Sequence, residues 1–411
     1  MSDSAPHDFS SSGRLKVLDG LRAIAILLVI FMHSLREFRG DLSRPFMPVS
    51  GFDLSNVLYN GWIGVDLFFV LSGFLITCQL LRLDLHNNKQ RLSATLHYLK
   101  IRFFRIAPAY YLTLVIFLGA SFLIRLHNGA APSHAEIVDW SHRLFSQLIF
   151  MHDYLPPLKA AVLWSLAIEL KFYLLAPFLI WSIMRLRLRN QMGVLCLTFF
   201  IMIAMRMAAI SAGGDALQDY ETYFFSIRAK FHLSMDGLLA GVVCALLWHR
   251  QDMRKLISSP ALANGLFLSG LAILSAEILF HPLYIPTVSF FEMAFLPTVL
   301  TAGFSFVMLG LLGGCAGHRF FENRPFRWIA MISYSLYLTH CFFLGPQRLI
   351  AQTMARAIGK TTESYIPGHA FLWLISLPLF LAMSFGAAFV MYKCIEKPFI
   401  DWSKRTTPKQ A

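Results

Sequence analysis

Charge is what this chain has least of. Lysine, arginine, aspartate and glutamate make up 14% of 411 residues, against 56% hydrophobic residues and a mean hydropathy of +0.58. A soluble globular domain carries nearer a quarter of charged residues, so that class is excluded and a polytopic membrane protein is implied. Acidic residues are especially few, 23 against 36 lysines and arginines. The net charge of +13 that results would suit a nucleic-acid binder, but here the cations flank apolar runs and sort by side of a membrane. No nucleic-acid partner is expected. Cysteine is scarce too: Cys78, Cys196, Cys244, Cys315, Cys341 and Cys394 show no metal-type or redox-type spacing, which predicts free thiols and no metal. Residues 1–13, MSDSAPHDFSSSG, lack a basic n-region, and no small-residue cleavage site follows the first apolar run. They read as a disordered cytoplasmic tail ahead of an uncleaved first span.

What is present is a series of ten apolar runs long enough to cross ~30 Å of hydrocarbon. They cover residues 16–36, 61–82, 106–126, 161–184, 192–211, 230–248, 259–280, 293–313, 328–350 and 370–394. A shorter run near 144–151 reads as re-entrant or interfacial. With the N-terminus inside, cytoplasmic segments hold clusters such as Arg102 and Arg105, Arg185 to Arg189, and Lys393 to Lys409, giving a roughly two-to-one bias of cations toward the inner side. The expected fold is all-α with about ten transmembrane helices and both termini cytoplasmic. The transmembrane domain covers 14–395 and a cytoplasmic tail 396–411.

The first span, LKVLDGLRAIAILLVIFMHSLR (Leu15–Arg36), is the element around which the rest is organised. Arg22 and His33 lie eleven positions apart, about three helical turns, so they share a face roughly 16 Å from each other. Charged groups within lipid are costly and usually face protein or a water-filled cavity. A snorkelling arginine and a headgroup-level histidine would leave the same trace. On the expected topology His33, Asp66, Glu169, Arg206, Asp236 and His340 all fall in the outer halves of six different spans. Singly, each reads as an interhelix pair; together they suggest a polar chamber opening outward. Ser165, Glu169 and Tyr173 fall on one helical face, as do Ser333, Tyr337 and His340. Ser72 and Gly73 in LSGF allow close helix approach, and Phe68, Phe69 and Phe74 read as packing. On the inner side Arg102 and Arg105 stand one turn apart before the third span, with Pro108 where the helix is expected to begin. Two guanidiniums there match the oxygens of a phosphorylated ligand, while charge alone favours a stop-transfer cluster satisfying anionic lipid.

The Arg22 to His33 spacing, GVDLFFVLSGFLI, RFFRIAPAYY, WSLAIELKFYLLAP, MDGLLAG, ISYSLYLTH and the closing IEKP, in that order from Leu15 to Ile400, resemble the acyltransferase type 3 family of integral membrane acyltransferases. The resemblance implies transfer of an acyl group from cytoplasmic acyl-CoA, acetyl-CoA above all, to a hydroxyl of a carbohydrate such as a surface polysaccharide or lipopolysaccharide. The setting it implies is a bacterial inner membrane. It also implies roles for Arg22 and His33, for Arg102 and Arg105 at the cytoplasmic entrance, and for Glu169 in WSLxxE. With no hydrolase-like domain after Ile400, the chain resembles the family's stand-alone form. Elementary chemistry agrees, since acyl transfer to a hydroxyl needs a base, a group that orients it and donors for the oxyanion. His33 is suited as base, with Glu169 or Asp66 to orient it. Arg22, Arg102 and Arg105 would hold the donor, and Tyr337, His340, Arg206 and Asp236 the acceptor. Direct attack on the thioester is favoured over an acyl-histidine, which would hydrolyse easily when facing outer water. Two alternatives stay open: the same chemistry on a cytoplasmic small molecule, and a secondary transporter with a midplane polar site.

Overall fold

The computed structural model describes residues 16–38, 46–49, 52–83, 88–127, 129, 133–155, 162–218, 220–280, 289–357 and 366–405. Its principal helices are α1 (Lys16–Arg36), α2 (Gly64–Leu81), α3 (Asn88–His127), α4 (His134–Leu148), α5 (Trp164–Met184), α6 (Leu188–Gly213), α7 (Asp236–His249), α8 (Pro260–Phe280), α9 (Phe290–Leu312), α10 (Arg324–Thr339), α11 (Leu344–Ala357) and α12 (Ile366–Met391). Among the described residues, nine helical segments are long and apolar enough to cross a membrane. The only strand pairing described is a two-residue hairpin, Pro48–Val49 with Phe52–Asp53. The protein is all-α and polytopic. The expected tail at 1–13 lies outside the described residues. In the 396–411 segment, a helix continues from Lys397 to Arg405, and 406–411 lie outside.

Three boundaries differ from expectation, each for a physical reason. The sixth apolar run yields only the 14-residue α7, because Phe231–Leu233 ahead of it, flanked by Lys230 and Ser234, take up a short 3-10 turn rather than an α-helix. Pro108 lies inside the 40-residue α3 and not at its start. The polar stretch from Asn88 is rich in good helix formers, so the helix runs some 60 Å and carries the two arginines in its interior. The run near 144–151 is the end of the amphipathic α4. That helix starts at a capping box, in which the Ser133 hydroxyl accepts from Glu136 N–H and the Glu136 carboxylate accepts from Ser133 N–H.

α1 is the centre of the bundle. It packs on α10 and α2, and its Val17, Ala25, Ile26, Val29 and Ile30 are buried. α2 in turn lies along α7 at very close range, since lipid gives helices no hydrophobic reason to associate and small residues let backbones meet. A Cβ on Gly73 would stand 2.1 Å from the Leu238 carbonyl oxygen, and one on Gly241 would stand 2.3 Å from that of Val70. The ninth expected run is broken. The run at 328–350 ends its α-helix at Thr339, passes through a 3-10 turn at His340–Phe343, and resumes as α11. This turn carries the buried His340 ring to α1.

Candidate active site

Side chains from α1, α2, α3, α5 and α10 enclose a space of about 750 Å³, counting its opening. Arg22, Arg102 and Arg105 line it together with Glu169, Ser72, Tyr173, Ser333, Tyr334 and Tyr337, and Val65, Phe68 and Phe69 form its apolar wall. Arg102 donates from Nη2 to Gln79 Oε1 at 2.6 Å and lies beside the Tyr98 and Tyr173 rings. Among the described residues, Arg22 and Arg105 have no hydrogen-bond acceptor. Glu169 Oε1 accepts from Ser72 Oγ at 2.7 Å and from Tyr173 Oη at 2.5 Å. Three guanidiniums thus share one space with a single lining carboxylate. The lining keeps a surplus of half-buried positive charge around a partly open space, which suits a polyanion, and the planar forks suit phosphate.

At one edge of this space, a second group of side chains begins on its lining and continues to the histidines. Ser165 Oγ and Tyr337 Oη hydrogen-bond at 2.8 Å, and the Tyr337 ring lies edge-on to Phe68 with centroids 6.5 Å apart. The His340 ring is next, 6.1 Å from that of Tyr337, and its Nε2 is 3.1 Å from His33 Nδ1. Cys341 Sγ is 3.4 Å from the same His340 nitrogen. The ligand atoms of His33, His340 and Cys341 all lie within 4.8 Å of one another, a spacing that could also hold a metal ion. Reading cysteine spacing alone misses this group, because only one cysteine takes part.

The expected residues therefore divide. Arg22, Arg102, Arg105, Glu169 and Tyr337 line one space, and His33 and His340 sit together beyond it. Neither carboxylate expected to orient His33 is hydrogen-bonded to it. Glu169 is held by Ser72 and Tyr173, whereas Asp66 offers both oxygens, each at 2.6 Å, to Arg228 Nη2. The Arg228 guanidinium lies between the Trp62 and Trp164 rings, 5.5 Å from each centroid. Burial opposes its charge, but the adjacent Asp66 outweighs that and holds its pKa above the ordinary value. Nor do Arg206 and Asp236 reach the space. Arg206 donates to Asp236 Oδ2 at 2.6 Å, to the Leu233 carbonyl at 3.0 Å and to that of Ala294 at 2.7 Å, while Thr298 donates to the other carboxylate oxygen. Both are fully enclosed, at 0% and 1% exposure, and spent on each other. Arg228 escaped the sequence reading because it falls in an outer segment, where a cation needs no partner; its one signal was its place in the apolar run FFSIRAKF.

A family model described as an acyltransferase domain matches residues 15–393. YrhL of Bacillus subtilis (strain 168) is 29% identical over 339 residues, covering 79% of this chain and 47% of its own length. The peptidoglycan O-acetyltransferase OatA of Listeria monocytogenes is 27% identical over 340 residues, 79% of this chain and 48% of that protein. The O-acetyltransferase OatA of Staphylococcus aureus (strain NCTC 8325 / PS 47) is 26% identical over 335 residues, 79% and 49% of the two chains. The chain thus spans about half the length of these curated relatives. No solved structure matches it.

Proposed function

The chain belongs to this family of membrane acyltransferases, and we propose from that premise that it moves an acyl group, acetyl first of all, from cytoplasmic acyl-CoA to a hydroxyl of a cell-surface or lipid-linked carbohydrate. The observation that carries the proposal is the space lined by Arg22, Arg102 and Arg105 on the approach to His33. A donor whose phosphates rest on the guanidiniums would extend its thin arm along α1, a distance of roughly 16 Å from Arg22 to His33. Peptidoglycan acceptors of the named relatives support a carbohydrate as the second substrate.

In the proposed reaction His33 takes the proton of the acceptor hydroxyl as the oxygen attacks the thioester carbonyl. The carbon–sulfur bond breaks, the thiolate recovers that proton, and the products are an ester and a free thiol. Of the Ser165 and Tyr337 hydroxyls, which hydrogen-bond to each other, one keeps its proton free to be donated to the carbonyl oxygen. The decisive experiment follows label from acetyl-CoA into surface carbohydrate by NMR, in cells with and without the protein. Equal acetylation in both would refute the proposal.

Two further outcomes are expected. Arg102→Ala and Arg105→Ala should each raise the Michaelis constant for acyl-CoA by about 10-fold or more while leaving kcat nearer to wild type, because phosphate binding contributes to the ground state and transition state alike. Lysine at either position should rescue poorly, since it lacks the planar fork. Steady-state kinetics on the purified protein decide this, and unchanged donor affinity in both alanine variants would assign the pair to lipid. For topology, with both termini in the cytoplasm, alkaline phosphatase fused after Pro156 should be active and after Arg189 inactive. The reverse pattern would put the donor on the wrong side.

A further inference from the structure

The geometry points to His340 as the positioning residue for His33, an uncharged partner standing where a carboxylate was expected. The inference rests on His33 being the base proposed above. His340 Nδ1 is 3.0 Å from the Leu336 carbonyl oxygen. A carbonyl only accepts, so in the neutral ring the proton belongs on Nδ1; the other tautomer would set a nitrogen lone pair against an oxygen lone pair. This leaves His340 Nε2 as an acceptor, and the atom it faces is His33 Nδ1 at 3.1 Å. The other neighbour of His33 Nδ1 is the Val29 carbonyl oxygen, also at 3.1 Å. Both neighbours accept, so the single proton of neutral His33 sits on Nδ1 and its Nε2 keeps a free lone pair. Among the described residues nothing hydrogen-bonds that Nε2. This is the tautomer that a general base requires.

Val29 and His340 act differently. The Val29 carbonyl belongs to the histidine's own helix and moves with it. His340 belongs to another part of the chain, is fully buried, and is turned toward α1 by the 3-10 break at the end of α10. It therefore fixes the plane of the His33 ring relative to the rest of the bundle; the two rings meet with centroids 5.1 Å apart at 42°. When His33 accepts a proton at Nε2, its Nδ1–H bond to His340 becomes charge-assisted and supports the imidazolium without burying a carboxylate. The Cys341 thiol reaches the same lone pair but is the weaker donor, so it does not displace the imidazole N–H.

The test compares His340→Gln, whose amide oxygen can stand near the lost Nε2, with His340→Phe, which keeps the ring volume and has no acceptor. The glutamine variant should stay within about 3-fold of wild-type kcat, and the phenylalanine variant should fall by about 10-fold or more, with the donor Michaelis constant unchanged in both. A role in packing alone would favour phenylalanine, so equal loss in the two variants, or full activity in His340→Phe, overturns the inference. Nitrogen-15 NMR of the wild-type protein in lipid nanodiscs gives a reading that needs no variant to fold. His33, assigned by its absence in His33→Asn, should show a protonated Nδ1 and a bare Nε2; a protonated Nε2 overturns the inference. Wild-type turnover in His33→Ala would remove the base itself, whereas an inactive His33→Ala beside a fully active His340→Phe removes only the positioning role.

Discussion

His33→Ala is expected to lose acyl transfer by on the order of 100-fold or more, the size of effect that a missing general base produces. The substitution should leave the protein folded and inserted, because the half-buried imidazole makes its side-chain contacts at one nitrogen and α1 is held elsewhere by Val17, Ala25, Ile26, Val29 and Ile30. Donor affinity should also survive, since Arg22 lies about three helical turns away on α1 and Arg102 and Arg105 line the space with it, which His33 does not. Three measurements on one preparation separate these statements: turnover with acetyl-CoA and acceptor, donor binding at equilibrium, and elution as a monodisperse species. The variant must fail in the first and pass the other two. Wild-type turnover would withdraw the assignment of the site. A second result bears on the route: labelled acetyl-CoA without acceptor, quenched rapidly, should leave no stable label on His33, and label there would replace direct attack with an acyl-histidine.

Asp236→Ala is expected to cost stability rather than chemistry, by about 3–5 kcal/mol, the loss typical when one member of a buried ion pair is removed. Arg206 would keep its bonds to the Leu233 and Ala294 carbonyls but would hold a full positive charge with no carboxylate beside it, at a place closed to water. The double variant Arg206→Met with Asp236→Leu removes both charges while keeping similar volume. It should recover most of the loss, because a hydrophobic pair of matched size often equals or exceeds a buried ion pair. Thermal unfolding in detergent provides the measurement. Unaltered unfolding in Asp236→Ala, with a raised Michaelis constant for acceptor, would return Asp236 to the acceptor site where the sequence had suggested it.

This contrast shows what was readable in the sequence. Hydropathy and charge bias assign a residue its depth, and helical spacing marked Glu169 and Tyr173 as one face; depth alone set Glu169 level with His33, whereas it lines one space with Arg22, Arg102 and Arg105. Depth is one coordinate, however, and a side chain in a bundle needs two more. Which way α2 faces is decided where Gly73 meets Leu238, a contact between residues far apart in the chain. That packing turns Asp66 to Arg228 instead of to His33. The histidine pair was hidden for another reason. Tyr337 and His340 keep the same spacing whether the chain there is α-helical or 3-10, so no periodicity announces the turn that carries His340 to α1. The amphipathic α4 was partly legible, its apolar end being read without its polar beginning.

The separation of guanidiniums from imidazoles along α1 has an electrical consequence. If the donor's phosphates stay among Arg22, Arg102 and Arg105, the only parts that advance to His33 are an uncharged arm and an uncharged thioester. The acyl carbon then leaves outward as the hydroxyl proton travels inward to the thiolate, and these two transfers cancel in charge. Carrying one elementary charge across a potential of about 100 mV is worth about 2.3 kcal/mol. An enzyme built this way avoids that term altogether. Its turnover in sealed vesicles should be indifferent to an imposed membrane voltage of either sign, so that a cell could go on decorating its surface while its proton-motive force collapses.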